Sequence, residues 1–208
     1  MTPPRVFVVG TDTDVGKTVV AAILVRAWNA DYWKPVQTGA AEDPGDTATV
    51  ARLSGLPPER LHPPAHVFAA PLSPHAAAAL EGARIDLDGF APPATARPLV
   101  AEGAGGVLVP LNESALIIDL VQRLGWPVVV VARSTLGTIN HTLLTLAALR
   151  ARGVTVIGVV LNGPPSPSNR EAIEHHGRVP VIAEIPPADA VTPGWVEEMS
   201  LSLPPPGA

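Results

Sequence analysis

Residues 10–18, Gly-Thr-Asp-Thr-Asp-Val-Gly-Lys-Thr, have the composition of a loop that binds the phosphates of a nucleotide. Glycine lets the backbone approach the phosphates, a lysine such as Lys17 binds the β- and γ-phosphates, and a hydroxyl such as that of Thr18 binds Mg²⁺. Gly10 stands one residue further back than the usual G-x-x-x-x-G-K-[ST] spacing. The alternative is an ordinary helix entry, but the strand pattern before the motif and the amphipathic helix pattern after it favour a phosphate loop.

A second group of residues, Glu102-Gly-Ala-Gly-Gly106, follows an apolar run that is typical of a strand. A carboxylate at a strand end can face the phosphate loop, and Mg²⁺ in proteins is held by one or two carboxylates together with phosphate oxygens and water. The small residues after Glu102 would let a phosphate or a substrate pass close to the backbone. The alternative is a glycine-rich turn with a solvated glutamate.

Lys34 is one of only two lysines in a chain that has 12 arginines, and Lys17 is the other. We expect Lys34 at the end of the second strand, where a compact ammonium suits the stabilisation of a transferring phosphoryl group. The alternative is a surface lysine. Asp46 could supply a second metal-binding carboxylate or could cap the helix that follows it.

Short apolar runs alternate with helical patterns along most of the chain, which is typical of a parallel sheet covered by helices on both faces. The chemical motifs therefore lie at strand ends, where such folds bind ligands. The prediction is a three-layer α/β fold with a mostly parallel sheet, in one domain over 1–202. We expect proline-rich loops at 56–74 and 91–98 and a frayed tail at 203–208. The predicted strands are 5–9, 32–36, 98–101, 127–132, 155–161 and 180–185, and the clearest helices are one from Lys17, 116–124 and 139–152.

The composition excludes several classes of protein. Hydrophobic residues make up 47% and charged residues 16%, which predicts a globular chain with a large core. The net charge of −5 does not favour a nucleic-acid partner, and the apolar runs are too short to span a membrane. There is no cysteine, so disulfide and thiolate chemistry are excluded. We therefore expect a soluble, cytoplasmic protein.

Four motifs together resemble those of the dethiobiotin synthetases: residues 10–18, Lys34-Pro-Val-Gln-Thr-Gly39, Glu102-Gly-Ala-Gly-Gly106 and Leu136-Gly-Thr-Ile-Asn-His141. The similarity runs from about residue 5 to residue 190. The resemblance implies a P-loop-type α/β homodimer that uses ATP and Mg²⁺. Such enzymes join 7,8-diaminononanoate (7,8-diaminopelargonate) to CO₂ and close the ureido ring through a carbamate and a carbamic-phosphoric anhydride, releasing ADP and phosphate.

The resemblance also implies roles for individual residues. Lys17 and Lys34 would be catalytic, and Thr18, Asp46 and Glu102 would hold the metal. The implied ATP-binding residues are Asp14, Val15, Gly16, Lys17, Thr18, Val19, Asp46, Glu102, Gly103, Ala104, Gly105, Asn162, Gly163, Ile185, Pro186 and Pro187. The implied substrate-binding residues are Thr13, Lys34, Thr38, Gly137, Thr138, Ile139 and Asn140, the last four reaching the site of the neighbouring subunit from a helix N-terminus. Ser73-Pro-His75 matches a family segment near the substrate, with no role assigned to His75.

The chain departs from the family pattern late in the sequence, at the segments that would contact the nucleotide base. Asn162 is followed by Gly163 where the family usually has arginine, and Ile182-Ala183 stands where Leu-Gly is expected. These departures leave another nucleoside triphosphate open as co-substrate.

Three other functions compete with the synthetase. A cobyrinate-type amide synthetase would need a glutaminase domain and its cysteine. A switch ATPase of the partitioning or metal-delivery class carries a lysine where this chain has Asp12. A non-catalytic nucleotide-binding module gives no reason for Lys34 and Glu102.

Overall fold

A seven-stranded sheet in the order β4-β2-β6-β1-β7-β8-β9 forms the centre of the computed structural model, which describes residues 3–41 and 44–204. All pairings between these strands are parallel. The strands are β1 (Arg5–Gly10), β2 (Asp31–Trp33), β3 (Val36–Gln37), β4 (Leu61–His62), β5 (His66–Val67), β6 (Leu99–Gly106), β7 (Val128–Arg133), β8 (Val156–Asn162) and β9 (Val181–Ile185). The helices are α1 (Lys17–Trp28), α2 (Gly45–Ser54), α3 (Pro74–Leu80), α4 (Ile117–Leu124), α5 (Thr138–Ala151), α6 (Pro167–Gly177) and α7 (Pro193–Ser200).

Helices cover both faces of this sheet, so the central strands carry apolar side chains on both faces. Along β1, Phe7 and Val9 join a core with α3, α4, α5 and α6, while Val6 and Val8 join a core with α1, α2 and α7. In β7, the four residues from Val128 to Val131 are all 0% exposed. Alternating side chains of one strand therefore enter two cores, which explains the continuous apolar runs and confirms the predicted three-layer α/β fold. No helix in the described ranges has the length and apolar character of a membrane span.

Two of the predicted strands have wrong bounds. The strand predicted over 32–36 is divided, because β2 ends at Trp33 and β3 pairs with β5 in a separate two-stranded sheet. Pro35 has no N–H with which to continue the ladder, so Lys34 lies just beyond β2 and not at its end. The strand predicted over 98–101 continues through the whole glycine-rich motif, because Gly106 still pairs with Gly10 of β1.

The proline-rich segments also contain more order than was predicted. The range 56–74, predicted as a loop, contains β4, β5 and the first residue of α3, and α7 was not predicted at all. Two-residue strands are too short to show a periodic pattern. In the predicted tail, the indole N–H of Trp28 donates a hydrogen bond to Pro204 O at 2.8 Å. Residues 205–208 lie outside the described ranges.

A buried carboxylate attaches β4, the edge strand, to the rest of the sheet. Asp31 of β2 accepts hydrogen bonds from Arg60 Nε at 2.9 Å and from Thr95 Oγ1 at 2.6 Å, and its Oδ2 lies 3.3 Å from His62 Nε2. Burial would raise the pKa of Asp31, but the hydrogen bonds from Thr95, Arg60 and His62 outweigh burial and lower it. The negative charge of Asp31 therefore stabilises the folded state.

We expect Asp31→Asn to lower the free energy of unfolding at neutral pH by about 1–3 kcal/mol. The buried carboxylate would no longer accept charge-assisted hydrogen bonds from its partners. The folded-state pKa lies below the ordinary value, so the contribution of Asp31 is present above that value and is lost as pH falls below 3.8. Denaturant unfolding at several pH values measures both effects. Asp88→Asn is the control, because Asp88 pairs with Arg123 on the surface. A deficit for Asp31→Asn that stays constant through acid pH would contradict this account.

Candidate active site

The loop between β1 and α1 has a compact backbone that needs its glycines. Gly16 has φ +91°, and Asp14 also has a positive φ, of +56°. A Cβ at position 10 would lie only 2.6 Å from the backbone oxygen of Asp12, so only glycine fits there. Lys17 Nζ donates to that same oxygen at 2.9 Å. The loop thus makes a tight turn at the N-terminus of α1, and the Lys17 side chain bends back to contact the loop backbone. This arrangement suits phosphate binding.

Three oxygen-bearing side chains converge directly beside this loop. Thr18 Oγ1 lies 2.8 Å from Asp46 Oδ1 and 2.9 Å from Glu102 Oε1. Because the hydroxyl has a single hydrogen, it can donate to only one of the two carboxylates at a time. These hard oxygen ligands fit Mg²⁺, which takes one or two carboxylates and completes its shell with phosphate and water. The described residues contain no group of three or more His, Cys, Asp or Glu that could hold a metal alone.

Lys34 lies between the same two carboxylates. Its Nζ is 2.6 Å from Asp46 Oδ2 and 3.1 Å from Glu102 Oε1, and it donates to Gly103 O at 3.0 Å. The residue is only 3% exposed. Burial alone would lower the pKa of Lys34, but Glu102 and Asp46 outweigh burial and raise it. The pKa of Asp46 is lowered, since Lys34 and Thr18 outweigh the effect of its own burial.

The second lysine of the site has the opposite electrostatic balance. Burial and the neighbouring Lys34 lower the pKa of Lys17, although Glu102 and Asp46 act against them. Its amine bonds to a backbone oxygen and takes part in no ion pair with a carboxylate among the described residues. A polyanion bound over the loop would stabilise the ammonium of Lys17, which is what a nucleotide phosphate chain provides.

These groups line a cleft of about 810 Å³ at the carboxyl ends of the strands. The cleft brings together most of the residues that the sequence predicted for phosphate, metal and substrate. Predicted residues in its wall are Thr13, Asp14, Gly16, Lys17, Thr18, Lys34, Thr38, Asp46, Glu102, Ala104 and Gly105. Val15, Val19 and Gly103 are not in the wall; Val15 and Val19 pack in the core below α1.

The cleft wall also includes Gln37, to which the sequence gave no role, and Ser73, which belongs to the segment matched near the substrate. Gln37 accepts a hydrogen bond from the backbone N–H of Asp46 at 3.0 Å, so it helps to place that carboxylate. Asp46 itself lies in the first turn of α2 and binds Thr18 and Lys34, so it does not act as the helix cap. Ser73 also lines the cleft and lies 3.1 Å from His75 Nδ1. In the sequence, the resemblance of the Ser-Pro-His segment to a family segment near the substrate was the feature that pointed to this part of the cleft.

The predicted base-contacting residues lie together on the other side of the phosphate loop. Asn162 Nδ2 donates to Val15 O at 3.0 Å, and Gly163 N donates to Ile185 O at 2.9 Å, with Pro186 and Pro187 following directly. The loops after β8 and β9 are therefore adjacent to each other and to the phosphate loop.

The remaining substrate-binding prediction falls outside the cleft of this chain. Gly137 precedes α5, and Thr138, Ile139 and Asn140 form its first turn, but none of them lines the cleft. Leu136, just before them, is 100% exposed. Arg133, another residue missed from the sequence, connects this region to the phosphate loop: its guanidinium lies 3.4 Å from Asp12 Oδ2 and 3.1 Å from His141 Nδ1.

Comparison with known proteins identifies close relatives over nearly the whole chain. A family model described as an AAA domain matches residues 4–194. The chain is 60% identical over 201 residues to the ATP-dependent dethiobiotin synthetase of Paramagnetospirillum magneticum, covering 97% of this chain and 95% of that protein. It is 48% identical over 190 residues to the enzyme of that name from Afipia carboxidovorans, covering 91% and 90%.

A longer relative contains a similar region. The chain is 61% identical over 202 residues to a biotin biosynthesis bifunctional protein of Bordetella avium, and it spans 43% of that protein's length. The chain therefore spans most of the length of the two dethiobiotin synthetases and less than half of the bifunctional protein.

Solved structures match the fold at low sequence identity. A ParA family ATPase from Chlorobium tepidum superposes with a TM-score of 0.54 at 13% identity, covering 96% of this chain and 98% of that one. Chloroplast FtsY from Physcomitrella patens gives a TM-score of 0.52 at 15% identity, covering 99% and 66%. Both support a P-loop-type α/β fold.

The two lysines of the cleft should affect stability differently. Lys34→Met leaves the carboxylates of Asp46 and Glu102 close together without their cation, and breaking a buried ion pair costs about 3–5 kcal/mol. Lys17→Met, the matched control, removes an ammonium that burial and Lys34 already disfavour, so we expect no loss or a small gain. Denaturant unfolding of both variants without nucleotide or metal measures this. Equal losses in the two variants would show that Lys34 is not the cation that holds the carboxylates together.

Proposed function

Because this chain belongs to the dethiobiotin synthetase family, we propose that it closes the ureido ring of dethiobiotin from 7,8-diaminononanoate, CO₂ and ATP. The observation that carries the proposal is the position of Lys34. A buried ammonium beside a phosphate loop and two carboxylates suits a reaction in which negative charge is transferred between a carboxylate-like oxygen and phosphate. We expect the enzyme to act in the cytoplasm, where ATP is available.

Nucleotide binding would use the groups around the loop. The backbone N–H groups of residues 14–18 and the ammonium of Lys17 would hold the β- and γ-phosphates, while Asn162, Gly163 and residues 185–187 would border the base. Thr18, Asp46 and Glu102 would hold Mg²⁺. When bound, that ion supplies positive charge to the phosphate oxygens.

The reaction then proceeds in three steps. One amine of the substrate forms an N–C bond to CO₂ and loses a proton, giving a carbamate. A carbamate oxygen attacks the γ-phosphorus as the bond to ADP breaks, giving the carbamic-phosphoric anhydride. The second amine attacks the carbamate carbon, the C–O bond to phosphate breaks, and a proton is released as the ring closes. Little covalent help is needed, so positioning and charge stabilisation dominate.

Lys34 would stabilise the carbamate and the phosphoryl group as it transfers. Its pKa is raised by Glu102 and Asp46, which favours the ammonium form in the site before ligands bind. Thr13 and Thr38, which also line the cleft, would contact the carbamate or the diamine chain. The N-terminus of α5 would bind the substrate carboxylate, because the N–H groups and the dipole of a helix N-terminus favour an anion.

We also propose that the enzyme is a homodimer. The residues 137–140 assigned to the substrate carboxylate do not line the cleft of their own chain, which fits a site completed by a second subunit. Large apolar side chains near them are exposed: Leu136 at 100%, Leu144 at 62% and Leu108 at 58%. Leu108 and Leu144 border a second depression of about 440 Å³ next to Asp12.

The experiment that tests the function is phosphate release from ATP with Mg²⁺ and bicarbonate, with and without 7,8-diaminononanoate. We expect release only with the diamine, together with an equal amount of dethiobiotin. Slow hydrolysis that is indifferent to the diamine would favour an amide synthetase or a switch ATPase. Repeating the assay with CTP and GTP tests the base preference, which the Gly163-Pro-Pro segment leaves open.

Lys34→Arg tests whether the ammonium acts in the transition state. A planar guanidinium cannot occupy the same point between Asp46 and Glu102, so we expect kcat to fall about 100-fold or more while the Kd for ATP changes much less. Steady-state kinetics and equilibrium binding measure the two quantities. Equal losses in both would mean that Lys34 serves ground-state nucleotide binding only.

Leu144→Asp tests the dimer. A carboxylate at this exposed position should be costly only if a second subunit covers it. We therefore expect the variant to sediment as a monomer and to have reduced activity in the phosphate-release assay. The matched control is Leu80→Asp, since Leu80 is 70% exposed on α3, outside both clefts. A wild-type chain that sediments at 21.5 kDa would contradict the proposal directly.

A further inference from the structure

The chain has a single tyrosine, Tyr32, and its hydroxyl contacts Glu102 on the side that faces the protein core. Tyr32 is 0% exposed, and its Oη donates a hydrogen bond to Glu102 Oε2 at 2.7 Å. An ionised carboxylate has no hydrogen to donate, so the phenol hydroxyl of Tyr32 is the donor in this contact. Nothing in the proposed reaction uses this residue.

Strand register explains the contact. Tyr32 of β2 stands opposite Val100 of β6, and the two strands are parallel neighbours. Glu102 follows Val100 by two positions, so its side chain leaves the same face of the sheet. The ring of Tyr32 packs in the core formed with α1 and α2, below the cleft. The hydroxyl therefore reaches Glu102 from the protein interior.

The two oxygens of Glu102 consequently have separate partners. Oε2 accepts from Tyr32 on the buried side, whereas Oε1 contacts Thr18 and Lys34 on the cleft side. A free carboxylate can rotate and present both oxygens to a cation. Here rotation would leave the buried phenol without an acceptor, which costs about 1–3 kcal/mol for a buried polar group.

We propose that Tyr32 is a positioning residue that restricts Glu102 to single-oxygen coordination and so makes the site selective for Mg²⁺ over Ca²⁺. Mg²⁺ demands near-octahedral geometry with few protein ligands, whereas Ca²⁺ accepts more oxygens and often takes both oxygens of one carboxylate. This inference rests on the metal role given to Glu102 in the proposed function.

Tyr32→Phe keeps the ring and removes only the hydroxyl. The measurement is calorimetric binding of Mg-ADP, of Ca-ADP and of ADP in EDTA to wild type and variant. We expect affinity for Mg-ADP to fall about tenfold, equivalent to roughly 1.4 kcal/mol, with Ca-ADP and metal-free ADP changed less than about twofold. The ratio of Mg-ADP to Ca-ADP affinity is the readout, because loss of stability alone would lower both together.

Val100→Ala is the packing control. Val100 is also 0% exposed and stands opposite Tyr32, so its truncation loosens the same face without touching the hydrogen bond. We expect it to lower stability and leave the affinity ratio unchanged. An unchanged ratio in Tyr32→Phe, or an equal change in Val100→Ala, would overturn the inference. A wild type that binds Mg-ADP no more tightly than ADP in EDTA would instead overturn the metal site of the proposed function.

Because the chain has a single tyrosine, a second test can be made on the protein without replacing Tyr32 by another amino-acid type. Biosynthetic replacement by 3-fluorotyrosine labels position 32 alone, so the fluorine NMR spectrum has one resonance. We expect this resonance to shift when Mg²⁺ is added to the ADP complex, with a smaller or different shift for Ca²⁺. A resonance that is indifferent to both cations would show that Tyr32 does not sense the metal through Glu102.

Discussion

The ammonium of Lys34 allows two carboxylates to stand close together in a mostly buried place. Asp46 and Glu102 both reach Thr18, and without a cation between them their charges would repel across a few ångströms. Lys34 contacts both, and its own burial is tolerated because they hold its charge. The arrangement is costly as a structural ion pair, since desolvation offsets much of the attraction. The benefit of the arrangement is functional, because it places a set of charges in fixed positions at the edge of the sheet before a ligand binds.

That arrangement depends on elements that are distant in the chain. The phosphate loop follows β1, Lys34 follows β2, Asp46 comes from α2 and Glu102 from β6. Parallel strands place their carboxyl ends at one edge, so the order β2-β6-β1 brings Lys34, Glu102 and the loop side by side. The break after Trp33 matters here, because it frees Lys34 from the sheet and lets its side chain turn into the cleft.

A second layer of contacts holds the charged groups in place from behind. Gln37 accepts from the backbone of Asp46, and Tyr32 donates to Glu102 from the core. Neither residue carries charge: Gln37 fixes the backbone from which the Asp46 side chain extends, and Tyr32 contacts the Glu102 carboxylate directly. Both acidic groups of the site therefore have supporting contacts from residues outside the charged cluster.

Local sequence patterns predicted the phosphate loop, the parallel sheet and most residues of the cleft. Apolar runs indicated strands buried on both faces, and a glycine-rich turn before a helix pattern indicated the loop. The contacts that these residues make with one another became known only from the folded chain. The local sequence favoured Asp46 as a helix cap, whereas the fold places it against Lys34. Strands β3 and β5 are too short for any periodic signal. Tyr32 gave no signal either, since its role depends on the register of β2 against β6. The register of two strands depends on packing between segments that are distant in the chain, so it cannot be predicted from the local sequence of either strand.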